Sequence, residues 1–151
     1  MTVAKPILLA EDNPRDAELA LAAMEAEHIS DKVVLCHDGA EVLDYLYCRG
    51  QFKSRLRGNP AVVFLDLKMP KVNGLEVLRT IKADANLRPI PVVMLTSSRE
   101  ERDLADSYAL GANAYVVKPV EFHKFLSAVK ELGTFWGIIN EPPPESVRHA
   151  Q

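Results

Sequence analysis

The stretch AVVFLDLKMP (residues 61–70) leads a run of apolar side chains directly into Asp66 and closes on Pro70. A continuous apolar run, rather than an alternating one, indicates a strand that is buried on both faces of a parallel sheet. A carboxylate at the end of such a strand is costly to bury without a partner. Asp66 is therefore the first candidate for a functional side chain.

Four other apolar runs share this character, and helix-like segments separate them. The runs are PILLA (6–10), KVVLC (32–36), PVVMLT (91–96) and AYVV (114–117). The helical segments are Pro14 to about His28, AEVLDYLYCR (40–49), GLEVLRTIKA (74–83), REERDLADSYALG (99–111) and a last helix that carries Phe122, Phe125, Val129, Leu132 and Trp136. Strands that alternate with helices predict an α/β, flavodoxin-like (β/α)5 fold, in which a doubly wound five-stranded parallel sheet has the order 2-1-3-4-5.

Local patterns predict where individual helices begin, end and bury a face. Ser98 is the predicted N-cap of the fourth helix, with Glu101 as its capping-box partner. Gly111 is the predicted end of that helix. In the second helix, the predicted apolar stripe consists of Val42, Leu43, Leu46 and Tyr47.

The composition limits the classes of function. The chain has 151 residues, of which 48% are hydrophobic, and a formal net charge of −3. These values fit one domain and give no electrostatic reason to expect nucleic acid. We expect one domain over 1–140, including an aromatic extension at 133–140, and a flexible Pro-rich tail at 141–151. Without a signal peptide or an apolar run of the ~20 residues that span a bilayer, we expect a cytoplasmic protein that is not in a membrane, with Cys36 and Cys48 reduced.

Polar side chains follow the predicted strands at the edge where a doubly wound sheet places its functional site. Glu11 and Asp12 follow the first strand, Asp66 the third, Thr96 ends the fourth, and Lys118 follows the fifth. Carboxylates held this close repel one another unless a cation is present. Mg²⁺ prefers such oxygen ligands, and the set contains no His or Cys that would favour zinc or copper. Together with a hydroxyl and an ammonium, this arrangement indicates phosphoryl transfer to a carboxylate.

The same segments resemble the receiver domain of two-component response regulators over about residues 5–132. The motifs that carry the resemblance are LLAEDNP (8–14), VVFLDLKMPKVNG (62–74), PVVMLTS (91–97) and GANAYVVKP (111–119). The resemblance implies a signalling protein that catalyses only its own phosphorylation and dephosphorylation. It also implies that Asp66 is the phosphoacceptor.

The resemblance implies roles for the other site residues as well. Glu11 and Asp12 would hold Mg²⁺ together with Asp66 and the backbone carbonyl of Lys68. Thr96 and Lys118 would bind the phosphoryl oxygens. Three further positions match the family pattern: Tyr115 as the aromatic residue of the switch formed with Thr96, Gly74 at the end of the loop after the acceptor, and Pro119 after the lysine.

Two alternatives fit the residues less well. A haloacid-dehalogenase-like phosphatase also has an aspartate after a buried strand, but such enzymes have a second aspartate two residues later, in a D-x-D motif. This chain has Lys68 two residues after Asp66. A flavodoxin-like flavin binder needs a Ser/Thr/Gly-rich phosphate loop after the first strand. This chain has Glu11 and Asp12 there, and these would repel a phosphate group in the absence of a bridging metal ion.

Further segments resemble single-domain regulators that partner bacterial phytochrome histidine kinases. They are EVLDYLYCRGQF (41–52), the basic loop at 48–60 and LGTFWGIINEPPP (132–144). The alternative is a stand-alone receiver for another kinase, in a motility or phosphorelay pathway. In either case the expected output is altered binding to an unidentified downstream protein. The apolar cluster Phe135, Trp136, Ile138 and Ile139 predicts a homodimer through the fifth helix and the extension, unless it folds back on the domain.

Overall fold

A computed structural model describes residues 5–26 and 33–118. Within these ranges, five strands form one parallel sheet in the order β2-β1-β3-β4-β5. The strands are β1 (Ile7–Ala10), β2 (Val33–Cys36), β3 (Val62–Leu65), β4 (Val92–Thr96) and β5 (Ala114–Val117). The predicted order is confirmed, and each strand lies inside the apolar run that predicted it.

Four helices connect these strands in the described part of the chain. They are α1 (Pro14–Ala26), α2 (Gly39–Leu46), α3 (Gly74–Ala83) and α4 (Glu101–Ala109), and a short 3₁₀ helix spans Gly50–Phe52. The predicted fifth helix, Pro119, the extension and the tail lie outside the described residues. The chain reverses strand order between β1 and β3, so the crevice beside Ala10 and Leu65 is the switch point of the sheet.

The sheet is buried on both faces, which explains why its strands have continuous apolar sequences. On one face, Leu8 packs in a cluster with residues of α2 and α3, including Val42 and Ile81. On the other face, Ile7 packs in a cluster with Ala20 and Met24 of α1. The strands are therefore fixed rigidly between two layers, and so are the residues that follow their carboxyl ends.

Two of the local predictions are wrong. Tyr47, a predicted member of the apolar stripe of α2, is 39% exposed, and Tyr45 is buried in its place. The reason is that the segment after α2 folds back over Tyr45. The ring of Phe52 packs edge-on against Tyr45, and the guanidinium of Arg55 lies 3.9 Å from the centre of the Tyr45 ring.

The predicted start of α4 is also incorrect. The N-cap is Glu100, and the hydroxyl of Ser98 instead bonds the carboxylate of Asp103. The helix ends at Ala109, two residues before the predicted stop at Gly111. Gly111 has φ +104°, a conformation that favours glycine and that a helix cannot continue through.

Candidate functional site

The backbone around Asp66 is fixed from both sides. Its amide donates to the carbonyl of Ala10 across the switch point (3.1 Å), and its carboxylate accepts from the amide of Lys68 (3.2 Å). The loop then turns back, with the amide of Gly74 donating to the carbonyl of Leu67 (2.7 Å). Asp66 is 8% exposed, so its side chain is largely buried and only a small part of it contacts solvent.

Glu11 and Asp12 lie beside Asp66, as the sequence predicts. Glu11 is buried, and its carboxylate accepts from the amide of Asn13 (3.1 Å), whereas Asp12 is exposed. One carboxylate oxygen from each of Glu11, Asp12 and Asp66 lies within 4.8 Å of the other two. Such a set of hard oxygen donors fits a divalent cation of the Mg²⁺ type.

The pKa of Glu11 also favours a divalent cation at this cluster. Burial, with the nearby Asp66 adding to it, raises the pKa of Glu11 to about 7, although Lys118 opposes the shift. The ionised form of this carboxyl is therefore poorly compensated by the protein alone. A divalent cation would supply the missing positive charge.

Lys118 brings its ammonium into the same crevice, and the side chain is almost fully buried. Among the described residues it contacts three carboxylates: Glu11, Asp16 at 2.9 Å and Asp66 at 3.4 Å. Burial alone would lower the pKa of Lys118, but the hydrogen bonds to Glu11 and Asp16 and the charges around it raise the pKa above the ordinary value. Lys118 is therefore a fixed positive charge at the acceptor.

Thr96 and Tyr115 are connected through the loop after β4. Thr96 is buried, and its hydroxyl oxygen accepts from the amide of Ser98 (3.2 Å). The hydroxyl of Tyr115 donates to the carbonyl of Ser98 (3.0 Å). A threonine hydroxyl that accepts one hydrogen bond can still donate another, so Thr96 remains able to donate to an oxyanion.

Two of the sequence-predicted residues are placed less completely. The amide of Lys68 lies at the acceptor and its side chain is exposed, but the role of its carbonyl stays a prediction. Pro119 lies outside the described residues.

Sequence reasoning missed Asp16. The side chain of Asn13 accepts from the amides of Arg15 (2.9 Å) and Asp16 (3.2 Å), as an N-cap does, and Pro14 begins α1. The signal was present in EDNPRD (11–16), because a capped helix that starts directly after an acidic pair keeps its first turn at the site.

A family model described as the response regulator receiver domain matches residues 7–130. The chain belongs to this family. A receiver is a signalling domain and, in general, not an enzyme, and receivers bind a divalent metal ion. No described helix of this receiver has the length and apolar character required to cross a bilayer.

Relatives of this receiver include regulators whose names connect them to phytochromes. The bacteriophytochrome response regulator RtBRR is 57% identical with a TM-score of 0.76, and the match covers 97% of this chain and 88% of that one. The phosphorylated cyanobacterial phytochrome response regulator RcpA is 36% identical with a TM-score of 0.84, covering 94% of this chain and all of RcpA.

A third relative holds a metal. Response regulator Rcp1 of Synechocystis sp. is 34% identical over 132 residues, which are 87% of this chain and 88% of Rcp1. A crystal structure of Rcp1 in its Mn²⁺-bound form has a TM-score of 0.83 at 33% identity and covers 93% of this chain and 99% of that one.

Proposed function

We propose that this receiver accepts a phosphoryl group from a histidine kinase on Asp66. The observation that supports the proposal is the convergence of the Asp66 carboxylate, an acidic pair and a buried ammonium at the switch point of the sheet. Glu11, Asp12, Asp66 and the backbone carbonyl of Lys68 would hold Mg²⁺, which supplies positive charge to phosphoryl oxygens when it is bound.

In the proposed reaction, a carboxylate oxygen of Asp66 attacks the phosphorus of a phosphohistidine. The O–P bond forms as the P–N bond breaks, and the electron pair of the P–N bond returns to the imidazole. Lys118 would bind an oxygen of the transferred group, and the 3.4 Å distance between its Nζ and Asp66 Oδ2 supports this role. The hydroxyl of Thr96 donates a hydrogen bond to another of these oxygens.

Output follows from the connection between Thr96 and Tyr115. A phosphoryl oxygen that draws the Thr96 hydroxyl inward pulls on the Ser98 amide, and the Ser98 carbonyl is the acceptor of Tyr115. The affected surface includes α4, where Leu104 is 39% and Tyr108 50% exposed. Phosphorylation thereby shifts this surface between two states that a downstream protein distinguishes.

The kinase we propose is a bacteriophytochrome, because RtBRR, RcpA and Rcp1 resemble this chain over nearly its whole length. The alternative is a receiver for another kinase, of a motility or phosphorelay pathway. We further propose a cytoplasmic homodimer formed through the fifth helix and the extension at 133–140. Truncation after Leu132, followed by a mass measurement in solution, tests this interface, since a truncated protein that is still a dimer would contradict it.

The central test is Mg²⁺-dependent labelling by acetyl phosphate. Wild-type protein should gain one phosphoryl group, Asp66→Asn none, and the surface variant Asp106→Asn should behave as wild type. Labelling that survives Asp66→Asn would refute the assignment. Transfer from a purified, autophosphorylated bacteriophytochrome, compared with a kinase of a chemotaxis pathway, tests the partner: faster transfer from the second kinase would favour the alternative.

A further inference from the structure

Asp16 differs from the other carboxylates that contact Lys118. Glu11 and Asp66 belong to the acidic cluster whose oxygens lie within 4.8 Å of one another, whereas Asp16 is not a member of it. Asp16 approaches the ammonium from the first turn of α1, at 2.9 Å, and its side chain is 32% exposed. Asp16 therefore contacts Lys118 without belonging to the acidic cluster of the described residues.

The position of Asp16 is determined by the helix and not by the cluster. The side chain of Asn13 caps α1 and accepts from the amide of Asp16 itself (3.2 Å). Ala17 and Ala20, further along α1, are buried in the core, so the first turn cannot shift without disturbing the packing. Asp16 is thus a rigid counter-ion beside a site whose other carboxylates have a second task.

Binding of a divalent ion changes what Lys118 can contact. Glu11 and Asp66 both belong to the acidic cluster, and both also contact the ammonium, through Glu11 Oε1 and Asp66 Oδ2. Two cations that share these carboxylates repel each other. Asp16 offers the ammonium a carboxylate that the ion does not use.

We propose that Asp16 is a positioning residue that retains the Lys118 ammonium when a divalent ion binds, which lowers the competition between the lysine and the ion for Glu11 and Asp66. The inference rests on the proposed function, in that it takes the acidic cluster to be the metal site. Without Asp16, Lys118 keeps only the two cluster carboxylates as partners among the described residues, and Mg²⁺ must displace it.

The test is the Mg²⁺ affinity of unphosphorylated protein, measured by calorimetry. Asp16→Asn should weaken binding about fivefold, the size expected when one partly exposed ion pair is lost. Asp16→Glu should recover most of the affinity. Glu18→Gln removes the same charge from an exposed position of α1 and should change the affinity little.

A double-mutant cycle separates positioning from general charge. With Lys118→Met as background, Asp16→Asn should have almost no effect, because there is no ammonium left to hold. An equal loss of affinity in both backgrounds would overturn the inference, as would wild-type affinity in Asp16→Asn. If wild-type protein binds no Mg²⁺, the proposed metal site is itself refuted. Circular dichroism checks that each variant is folded. If Lys118→Met does not fold, the comparison of Asp16→Asn with Asp16→Glu still decides, because only the second variant keeps a carboxylate for the ammonium.

Discussion

Replacement of Gly74 by alanine should damage both stability and phosphorylation. A Cβ at this position would lie 2.3 Å from the carbonyl oxygen of Asp66 and 2.8 Å from the Cα of Leu67. Ordinary Cβ contacts begin at 3.4 Å, and the neighbouring atoms are backbone, which cannot rotate away. The acceptor segment must therefore move by about 1 Å, a displacement of the kind that can cost a reaction up to ~100-fold.

The two effects can be given separate magnitudes. Overpacking of a well-filled interior typically costs about 1–3 kcal/mol in the free energy of unfolding, so the urea midpoint of Gly74→Ala should fall accordingly. The rate of labelling by acetyl phosphate at saturating Mg²⁺ should fall at least ~10-fold because the carboxylate of Asp66 is misplaced. The labelling rate should be measured without urea, under conditions in which more than about nine-tenths of the variant is folded according to its unfolding curve.

A second glycine provides the control. For Gly111, at φ +104° after α4, the three described atoms nearest to an added Cβ all belong to the flexible side chain of Lys82, at 3.1–3.6 Å. Gly111→Ala should cost about 1 kcal/mol or more through backbone strain and should leave the labelling rate of folded protein unchanged. If Gly74→Ala is labelled at the rate of Gly111→Ala, the contact with Asp66 does not position the acceptor and the reasoning fails.

The remaining predictions concern parts of the molecule away from the acceptor. Arg55 donates hydrogen bonds to the carbonyls of Tyr45 (2.7 Å), Leu56 (2.7 Å) and Gly58 (3.0 Å). Because lysine cannot make all three, Arg55→Lys should lower the free energy of unfolding by about 1–3 kcal/mol and leave the labelling rate unchanged. A urea midpoint equal to that of wild type would contradict this prediction. Burial raises the pKa of the Cys36 thiol to about 12, whereas Cys48 is partly exposed. Ellman's reagent should therefore modify one thiol of the native protein quickly and the second only on unfolding, and two fast reactions would show that Cys36 is accessible.

The fold could be predicted from the sequence because burial on both faces leaves a strong signal. Runs such as AVVFLD and PVVMLT have no polar alternation, and each gave the position of its strand to within one or two residues. The site could be predicted for a related reason. In a parallel sheet, residues directly after the strands converge at one edge, so the positions of Glu11, Asp66 and Lys118 along the chain determine their proximity.

What could not be predicted depends on contacts between distant segments. Periodicity placed Tyr47 in the core, but the loop with Phe52 and Arg55 covers Tyr45 instead. The capping pattern at Ser98 is a valid local signal, yet its hydroxyl bonds Asp103, and the helix starts later. The motif EDNPRD (11–16) indicates that the first turn of α1 lies at the site, but the contact of Asp16 with Lys118 joins residues 102 positions apart and is not specified by that motif.

Thr96 and Tyr115 are connected through Ser98 by two hydrogen bonds, and this connection constrains which residues can occupy position 98. Both contacts use backbone atoms of Ser98: its amide donates to the Thr96 hydroxyl, and its carbonyl accepts from the Tyr115 hydroxyl. Every amino acid carries the carbonyl, and every one except proline carries the amide. Any residue except proline at this position can keep both hydrogen bonds, so the connection does not depend on the serine side chain, whose hydroxyl bonds Asp103 instead.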